Sequence, residues 1–258
     1  MKDCFICQSG NELYCSWKGY DYMICKGCGL IYIEDLPDKS SIYSAYTGGP
    51  LKSLRRKLVA PFRNFSQMSG YKDKMIRSEK FFTIVSSYLK NANKRKMLDI
   101  GCNKGFLLAK GIEYNYEPSG VEIVPVLMVQ FKRRYRQFSD NIYSDDFSKI
   151  HHHFNDDQFD LVTAIDVVEH FQQPLSDFQQ VYRILKPGGI FLVQTPDAKS
   201  EVALQEKESW GAIKAFEHYQ LFNMENLRTL GFRIGFREID FHPAVDEGVG
   251  NMVAVLIK

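Results

Sequence analysis

The 258-residue chain lacks a dominant charge of either sign, with 33 Lys and Arg against 31 Asp and Glu for a formal +2. No global field therefore recruits nucleic acid or an anionic membrane, although a local basic patch stays open. No apolar run approaches the roughly 18 residues that a membrane span needs. The start, Met1-Lys2-Asp3-Cys4, lacks the apolar stretch of a secretory signal. The expected setting is cytoplasmic. Internal repeats and low-complexity tracts are also missing. A composition of 45% hydrophobic, 14% aromatic and 25% charged residues excludes a disordered or collagen-like chain. Cysteine is scarce and unevenly spread: five of the six lie in the first 28 residues and the sixth is Cys102. A disulfide framework would spread or pair them, so the clustering points to a metal site in a reducing compartment.

Four of those cysteines form two knuckles, Cys4-x-x-Cys7 and Cys25-x-x-Cys28, separated by 17 residues. Two such knuckles can place four thiolates tetrahedrally around Zn²⁺. Gly27 and Gly29 supply the backbone freedom a knuckle needs. With all four positions filled by protein, the site is expected to be closed and structural. Cys15 is left over, as a small buried residue rather than a fifth ligand.

Texture divides the chain into a zinc ribbon over 1–36, a helical connector over 37–95, and a larger domain over 96–258. In the connector, Leu51, Leu54, Leu58 and Val59 recur at helical spacing among Lys52, Arg55, Arg56 and Lys57. Residues 51–63 carry five basic and no acidic side chains. This basic stretch is weighed as a solvated helix flank before an acceptor-binding face. A second helix is expected over 72–90, with Ile76, Phe81, Ile84, Val85 and Leu89 as its apolar stripe. From 96 onward, short apolar runs (Met97–Ile100, Gly120–Ile123, Phe159–Ile165, Ile190–Gln194) alternate with helix-length segments. Alternation of this kind marks βαβ units and a mostly parallel sheet. Phe232–Asp240 and Met252–Ile257 are expected to form a terminal antiparallel pair.

The stretch from Leu98 to Leu108 reads as a strand, a glycine-containing turn and a helix start. Glu122 follows Gly101 by 21 residues, at the end of a second short strand. An acid there can accept hydrogen bonds from both hydroxyls of a ribose. A dinucleotide fingerprint would place a third glycine where Phe106 stands, so loop and acid suit an adenosine-containing ligand without a pyrophosphate.

Residues from about 96 to 258 resemble class I S-adenosylmethionine-dependent methyltransferases. Asp99-Ile100-Gly101-Cys102-Asn103-Lys104-Gly105 resembles the family's D-I/V-G-C-G-x-G motif, with Asn103 in place of a glycine. Asn tolerates positive φ better than most residues. Phe159-Asp160-Leu161-Val162 through Val168-Glu169-His170 resembles the fourth strand and its turn. Lys186-Pro187-Gly188-Gly189 resembles the turn before the next strand, which Thr195-Pro196-Asp197 closes. The resemblance implies an α/β fold: a Rossmann-like doubly wound, mostly parallel sheet with an antiparallel C-terminal strand, beside the small N-terminal zinc ribbon. It implies S-adenosyl-L-methionine as cofactor, held by Asp99, Gly101, Cys102, Asn103, Gly105 and Glu122. Asp145 or Asp146 would meet the adenine, and Asp166 would lie near the methionine end.

Methyl transfer from a sulfonium needs alignment and exclusion of water, and a general base where the nucleophile is a hydroxyl or an acidic carbon. His170 and His218 are the candidate bases, since imidazole titrates near neutrality. A structural role outweighs the base role for His170; the two are level for His218. Glu217-His218 with Phe222 resembles a family segment that lies over the active site. Tyr219 and Trp210 are candidate walls of an acceptor pocket, against a plain core role. His151-His152-His153 cannot all face one site and reads as a polar loop.

The combination of a Cys25-x-x-Cys28-Gly29-Leu30 ribbon with Tyr43 and Tyr46 in the linker resembles bacterial biosynthetic methyltransferases that act on saccharides and small metabolites. A small-molecule or saccharide acceptor is the leading expectation. RNA methylation, with the ribbon and basic stretch holding RNA, is the second, and the near-neutral charge weighs against it. A non-catalytic regulatory protein of the same fold is the third.

Overall fold

A computed structural model describes residues 3–37, 64–89, 94–246 and 250–258. The basic stretch 51–63 and the Tyr43/Tyr46 segment lie outside the described residues. The chain divides into two compact units. The first gathers Met1–Tyr46, Ile165–Tyr182 and Val193–Lys258; the second holds Thr47–Ala164 and Arg183–Leu192.

The expected mixed α/β fold is present, with a seven-stranded, mostly parallel sheet whose order is β10 (Glu238–His242), β11 (Asn251–Ile257), β8 (Leu185–Pro196), β7 (Phe159–Ile165), β4 (Arg95–Ile100), β5 (Tyr116–Val121) and β6 (Ile142–Tyr143). In the second unit, β4 (Arg95–Ile100) pairs in parallel with β5 (Tyr116–Val121) and with β7 (Phe159–Ile165). The short β6 (Ile142–Tyr143) pairs in parallel with β5. Met97, Leu98, Phe159, Leu161, Val162 and Ala164 are fully buried. That is what a parallel sheet covered on both faces requires. β5 stops at Val121, so Glu122 stands just past the strand rather than inside it.

Helix α1 (Tyr71–Tyr88) confirms the predicted helix and buries Phe81 and Val85 of the expected stripe, but turns Ile76 outward. Its buried side chains are Met75, Ser78, Phe81, Phe82 and Val85, whereas Ile76 is 58% exposed. Phe81 and Phe82 set the buried face, and residue 75 lies seven positions before 82, two helical turns away on the same side. Tyr114, at the end of helix α2 (Phe106–Glu113), stacks on Phe82 with ring centroids 4.8 Å apart. Helices α3 (Val129–Arg134) and α4 (Phe147–Ile150) complete the described helices before β7.

Helix α5 (Pro174–Ile184) opens on Pro174, which is preorganised for the first turn. The Lys186-Pro187-Gly188-Gly189 tract is not a separate turn. It is absorbed into the long strand β8 (Leu185–Pro196), with Gly188 at φ 77° and Lys186 Nζ 2.8 Å from Asp160 Oδ2.

In the first unit, β1 (Asn11–Trp17), β2 (Tyr20–Cys25) and β3 (Ile31–Ile33) form an antiparallel sheet. A fourth strand comes from far along the chain: β9 (Gln220–Leu221) pairs with β3, Ile31 facing Leu221 and Tyr32 facing Gln220. Cys15, Tyr22, Ile31 and Ile33 share a buried cluster with Trp210, Ile213, Tyr219 and Leu221. Helix α6 (Glu201–Glu206) adds Ala203 to it.

The expected strand over 232–240 is divided. Helix α7 (Met224–Ile234) occupies its first part and β10 (Glu238–His242) its end, paired antiparallel with β11 (Asn251–Ile257). A strong local cap overrides the β-rich composition. The Asn223 side chain accepts from the amides of Glu225 and Asn226, and the Asn226 side chain accepts from the Asn223 amide. Asn223 Nδ2 also donates to the carbonyls of Cys28 at 3.2 Å and Gly29 at 3.4 Å, beside the second knuckle. Removing this side chain, which is fully buried, costs a cap and takes a donor from both carbonyls, of which Cys28 O keeps Asn226 Nδ2 at 3.4 Å. Asn223→Ala is expected to lower stability by about 2–3 kcal/mol in urea unfolding; a loss under about 0.5 kcal/mol would show that this junction is not a structural tie.

Candidate active site

The loop after β4 is shaped by three residues of positive φ: Gly101 (71°), Asn103 (46°) and Gly105 (79°). Asn103 therefore reaches the left-handed region without being a glycine. A Cβ on Gly105 would lie 2.6 Å from the Phe131 ring, so only hydrogen fits there. Gly101 and Asn103 are exposed, while Glu122 beneath them is 6% exposed.

Glu122 holds the loop in place. Its Oε2 accepts from the Asn103 amide at 2.8 Å and its Oε1 from the Val124 amide at 2.8 Å. Burial raises its carboxyl above the usual range, and the two amides work in the opposite direction. Each oxygen retains lone-pair capacity for a further donor. Asp99 accepts from Thr163 Oγ1 at 2.6 Å, its register partner on β7. Burial pushes the Asp99 carboxyl up to about 7, against the Thr163 hydrogen bond and with the help of the Glu122 charge. Cys102 is buried with its sulfur 3.6 Å from Met128 Sδ, and burial raises its thiol well above the usual range. It packs under the loop as an inert thiol.

Both candidate adenine-side acids have partners. Asp146 caps α4, accepting from the Ser148 amide at 3.0 Å, and Asp145 pairs with Lys149 Nζ at 2.9 Å.

The remaining expected residues belong to the first unit. Asp166 follows the last residue of β7 and is held at φ 57°. Its amide donates to Gln194 O at 2.8 Å, and its Oδ1 accepts from Gln194 Nε2 at 3.0 Å. This left-handed conformation costs a non-glycine residue about 1–2 kcal/mol, which the paired bonds to Gln194 offset.

His170 and His218 are brought together, with ring centroids 5.0 Å apart. His170 Nδ1 lies 2.5 Å from Glu217 O and His218 Nδ1 lies 2.7 Å from Ala212 O. Those carbonyls assign the proton to Nδ1 in each ring and direct Nε2 the other way. Burial pushes the His218 imidazole down to about 3, and the neighbouring His170 adds to the shift. Tyr219 and Trp210 are 2% and 1% exposed and belong to the core cluster. His151–His153 forms one 3-10 turn and joins no metal-capable cluster among the described residues.

The four knuckle cysteines meet. Their sulfurs all lie within 4.8 Å of one another, with Cys4–Cys28 at 3.7 Å and Cys7–Cys25 at 3.3 Å. Sulfurs around a tetrahedral zinc at about 2.3 Å stand about 3.8 Å apart, so the set fits that ion. The Cys4 thiol is pulled down to about 5, chiefly by its hydrogen bond with Cys28, whose own thiol moves up. Gly27 admits the knuckle: a Cβ there would lie 2.3 Å from Ser9 Oγ and 3.1 Å from Cys7 Sγ.

Sequence reasoning did not assign three residues that organise the histidine side. Glu169 is 1% exposed and its Oε2 accepts from Thr195 Oγ1 at 2.8 Å. Tyr22 Oη donates to His218 O at 2.8 Å and accepts from the Lys214 amide at 3.1 Å. Gln220 Nε2 donates to the carbonyls of Val168 at 2.6 Å and Phe171 at 2.9 Å, on either side of the His170 turn. Only Glu169 carried a signal, beside His170 in the strand-end motif; Tyr22 and Gln220 are close to it only through folding.

Residues 73–240, more than half of the chain, match the family model described as "Methyltransferase domain". A tRNA U34 carboxymethyltransferase of Sulfurimonas denitrificans is 25% identical over 205 residues, covering 75% of this chain and 67% of that protein. A ubiquinone biosynthesis O-methyltransferase of Pseudomonas putida is 29% identical over 104 residues, covering 37% of this chain. The match spans 41% of that enzyme's length. Among solved structures, a SAM dependent methyltransferase from Archaeoglobus fulgidus superposes with TM-score 0.56 at 16% identity. That superposition covers 86% of this chain and 100% of the other.

Asp99 offers a check on the electrostatics of the loop. In the folded chain it keeps its proton up to about pH 7, whereas an unfolded aspartate releases it near 3.9. The associated stability is fully present below about pH 4 and is lost as pH rises through 7. Wild type is therefore expected to lose about 2–4 kcal/mol relative to Asp99→Asn between pH 4 and 8. Denaturant titrations across that range measure it, and a pH-independent difference would show that Asp99 titrates normally.

Proposed function

The chain belongs to the methyltransferase-domain family, and on that premise we propose that it is an S-adenosylmethionine-dependent methyltransferase acting on a small-molecule or saccharide-type acceptor. The observation that carries this reading is the buried Glu122 carboxylate under an exposed positive-φ loop. It is preoriented by the Asn103 and Val124 amides, with lone pairs left for two ribose hydroxyls.

In this reading the exposed backbone of Gly101 and Asn103 lets the cofactor approach closely, and the missing Cβ of Gly105 keeps the turn tight against Phe131. Asp145 or Asp146 meets the adenine, and Asp166 lies towards the methionine end. When bound, the cofactor would supply a methyl group activated by its sulfonium, which would leave as a neutral thioether as the acceptor's lone pair took the methyl. The chain's own task is alignment and exclusion of water. His170 and His218 are assigned to the acceptor, with Tyr219 supporting them from the core of the same unit. Each imidazole Nδ1 faces a carbonyl, so Nε2 is the atom through which either ring would act on an acceptor.

Cys4, Cys7, Cys25 and Cys28 would hold a structural Zn²⁺ in a closed four-thiolate set, in a ribbon of residues 1–36. A mercurial that blocks thiols is expected to release about one zinc per chain, in step with modification of these four cysteines. Release of none from protein with an intact ribbon would refute the zinc.

Calorimetry with S-adenosylmethionine tests the function. Wild type should bind at a single site, and Glu122→Ala should weaken binding tenfold or more. Absence of binding by folded wild type, or binding unchanged in Glu122→Ala, would overturn the assignment. The likeness to a tRNA carboxymethyltransferase supports a second reading, an RNA acceptor. RNA binding that falls steeply between low and moderate salt, and weakens when Arg55, Arg56 and Lys57 are neutralised, would favour it.

A further inference from the structure

We infer that Glu169, His170 and His218 form a second metal site, a two-histidine, one-carboxylate set for a divalent first-row transition ion. One ligand atom from each lies within 4.8 Å of the other two. Ligands sharing an ion at about 2.1 Å stand roughly 3–4 Å apart, so side-chain shifts of about 1 Å close the set.

The arrangement behind the three groups is the one metal ligands need. A ligating imidazole typically gives its other ring N–H to a carbonyl or carboxylate, which fixes its tautomer and aim. Here His170 Nδ1 is on Glu217 O and His218 Nδ1 on Ala212 O. A ligating carboxylate is typically hydrogen-bonded as well. Glu169 Oε2 takes the Thr195 hydroxyl, while Oε1 faces His170 Nε2 at 3.8 Å. Behind these lie Tyr22, on the His218 carbonyl, and Gln220, on the carbonyls of Val168 and Phe171. The whole assembly lies within the first unit.

Imidazole with carboxylate suits a borderline ion such as zinc, iron or cobalt, unlike the four-thiolate set of the ribbon. Three protein ligands also leave coordination positions open. Resting on the methyl-transfer reading, the ion would take a hydroxyl oxygen of the acceptor there and lower its pKa.

The test uses the full chain with its thiolate site already filled with zinc, titrated with Co²⁺ in the absence of cofactor and acceptor. One Co²⁺ per chain is expected, with ligand-field bands and no thiolate charge-transfer band. His170→Asn, His218→Asn and Glu169→Gln should each weaken it at least tenfold, and His152→Ala should leave it unchanged. Mercurial-releasable zinc in each variant reports that the first unit remains folded. No cobalt binding by wild type, binding unaltered by Glu169→Gln and His170→Asn, or loss in His152→Ala would overturn the site. Cobalt binding without S-adenosylmethionine binding would sink the methyl-transfer reading and leave the metal site standing.

Discussion

A strand buried on both faces has room for ligand-binding groups at its ends and almost nowhere else. β4 and β7 are of this kind, with Leu98, Leu161 and Val162 fully covered. Polar side chains in the second unit accordingly gather where the parallel strands run out. Asp99 and Thr163 satisfy each other across the register, and Glu122 stands one residue past β5. The loop after β4 then has a fixed floor. Its backbone is bent by three positive φ values and fastened from below by a buried carboxylate. Burying that carboxylate and Asp99 raises both above the usual range, and hydrogen bonds limit the penalty.

The first unit solves a different problem. The three N-terminal strands, from Asn11 to Ile33, are too few to bury a core alone, and their sheet must find one elsewhere. It borrows one. β9 completes its sheet, and Trp210, Tyr219 and Leu221 join Tyr22, Ile31 and Ile33 in a shared cluster. Hydrogen bonds make the same junction directional. Tyr22 grips the carbonyl of His218, Gln220 spans the His170 turn, and Asn223 ties the cap of α7 to the second knuckle. The N-terminal sheet is thereby part of the frame that holds both histidines at a fixed separation.

The readable features were those encoded by local chemistry. Paired CxxC knuckles, the Gly101–Gly105 turn and the 21-residue step to Glu122 depend on residue type and spacing within short windows. The terminal antiparallel pair and the buried run Phe159–Ile165 were readable for the same reason. Errors arose where a short-range signal competed with a longer one. Ile76 fits a helical stripe on paper, yet Phe81 and Phe82 turn the buried face towards Met75. Phe232–Ile234 looks β-like, yet the Asn223 capping box extends a helix through it. Trp210 and Tyr219 were weighed as pocket walls, yet they are core residues of the first unit.

The sequence alone determined the fold class, the family and the chemical inventory, because periodicity and motif spacing are properties of neighbouring residues. Tertiary structure decided which of those groups meet. Glu169 and His170 reach His218 only because Gln220 and Tyr22 bring residues about 50 and 200 positions apart into hydrogen-bond contact. It also decided their protonation. Burial, which no motif records, raises Asp99 to about 7 and keeps His218 neutral at about 3. Desolvation depends on every atom packed around a group, and that packing exists only once the chain has folded.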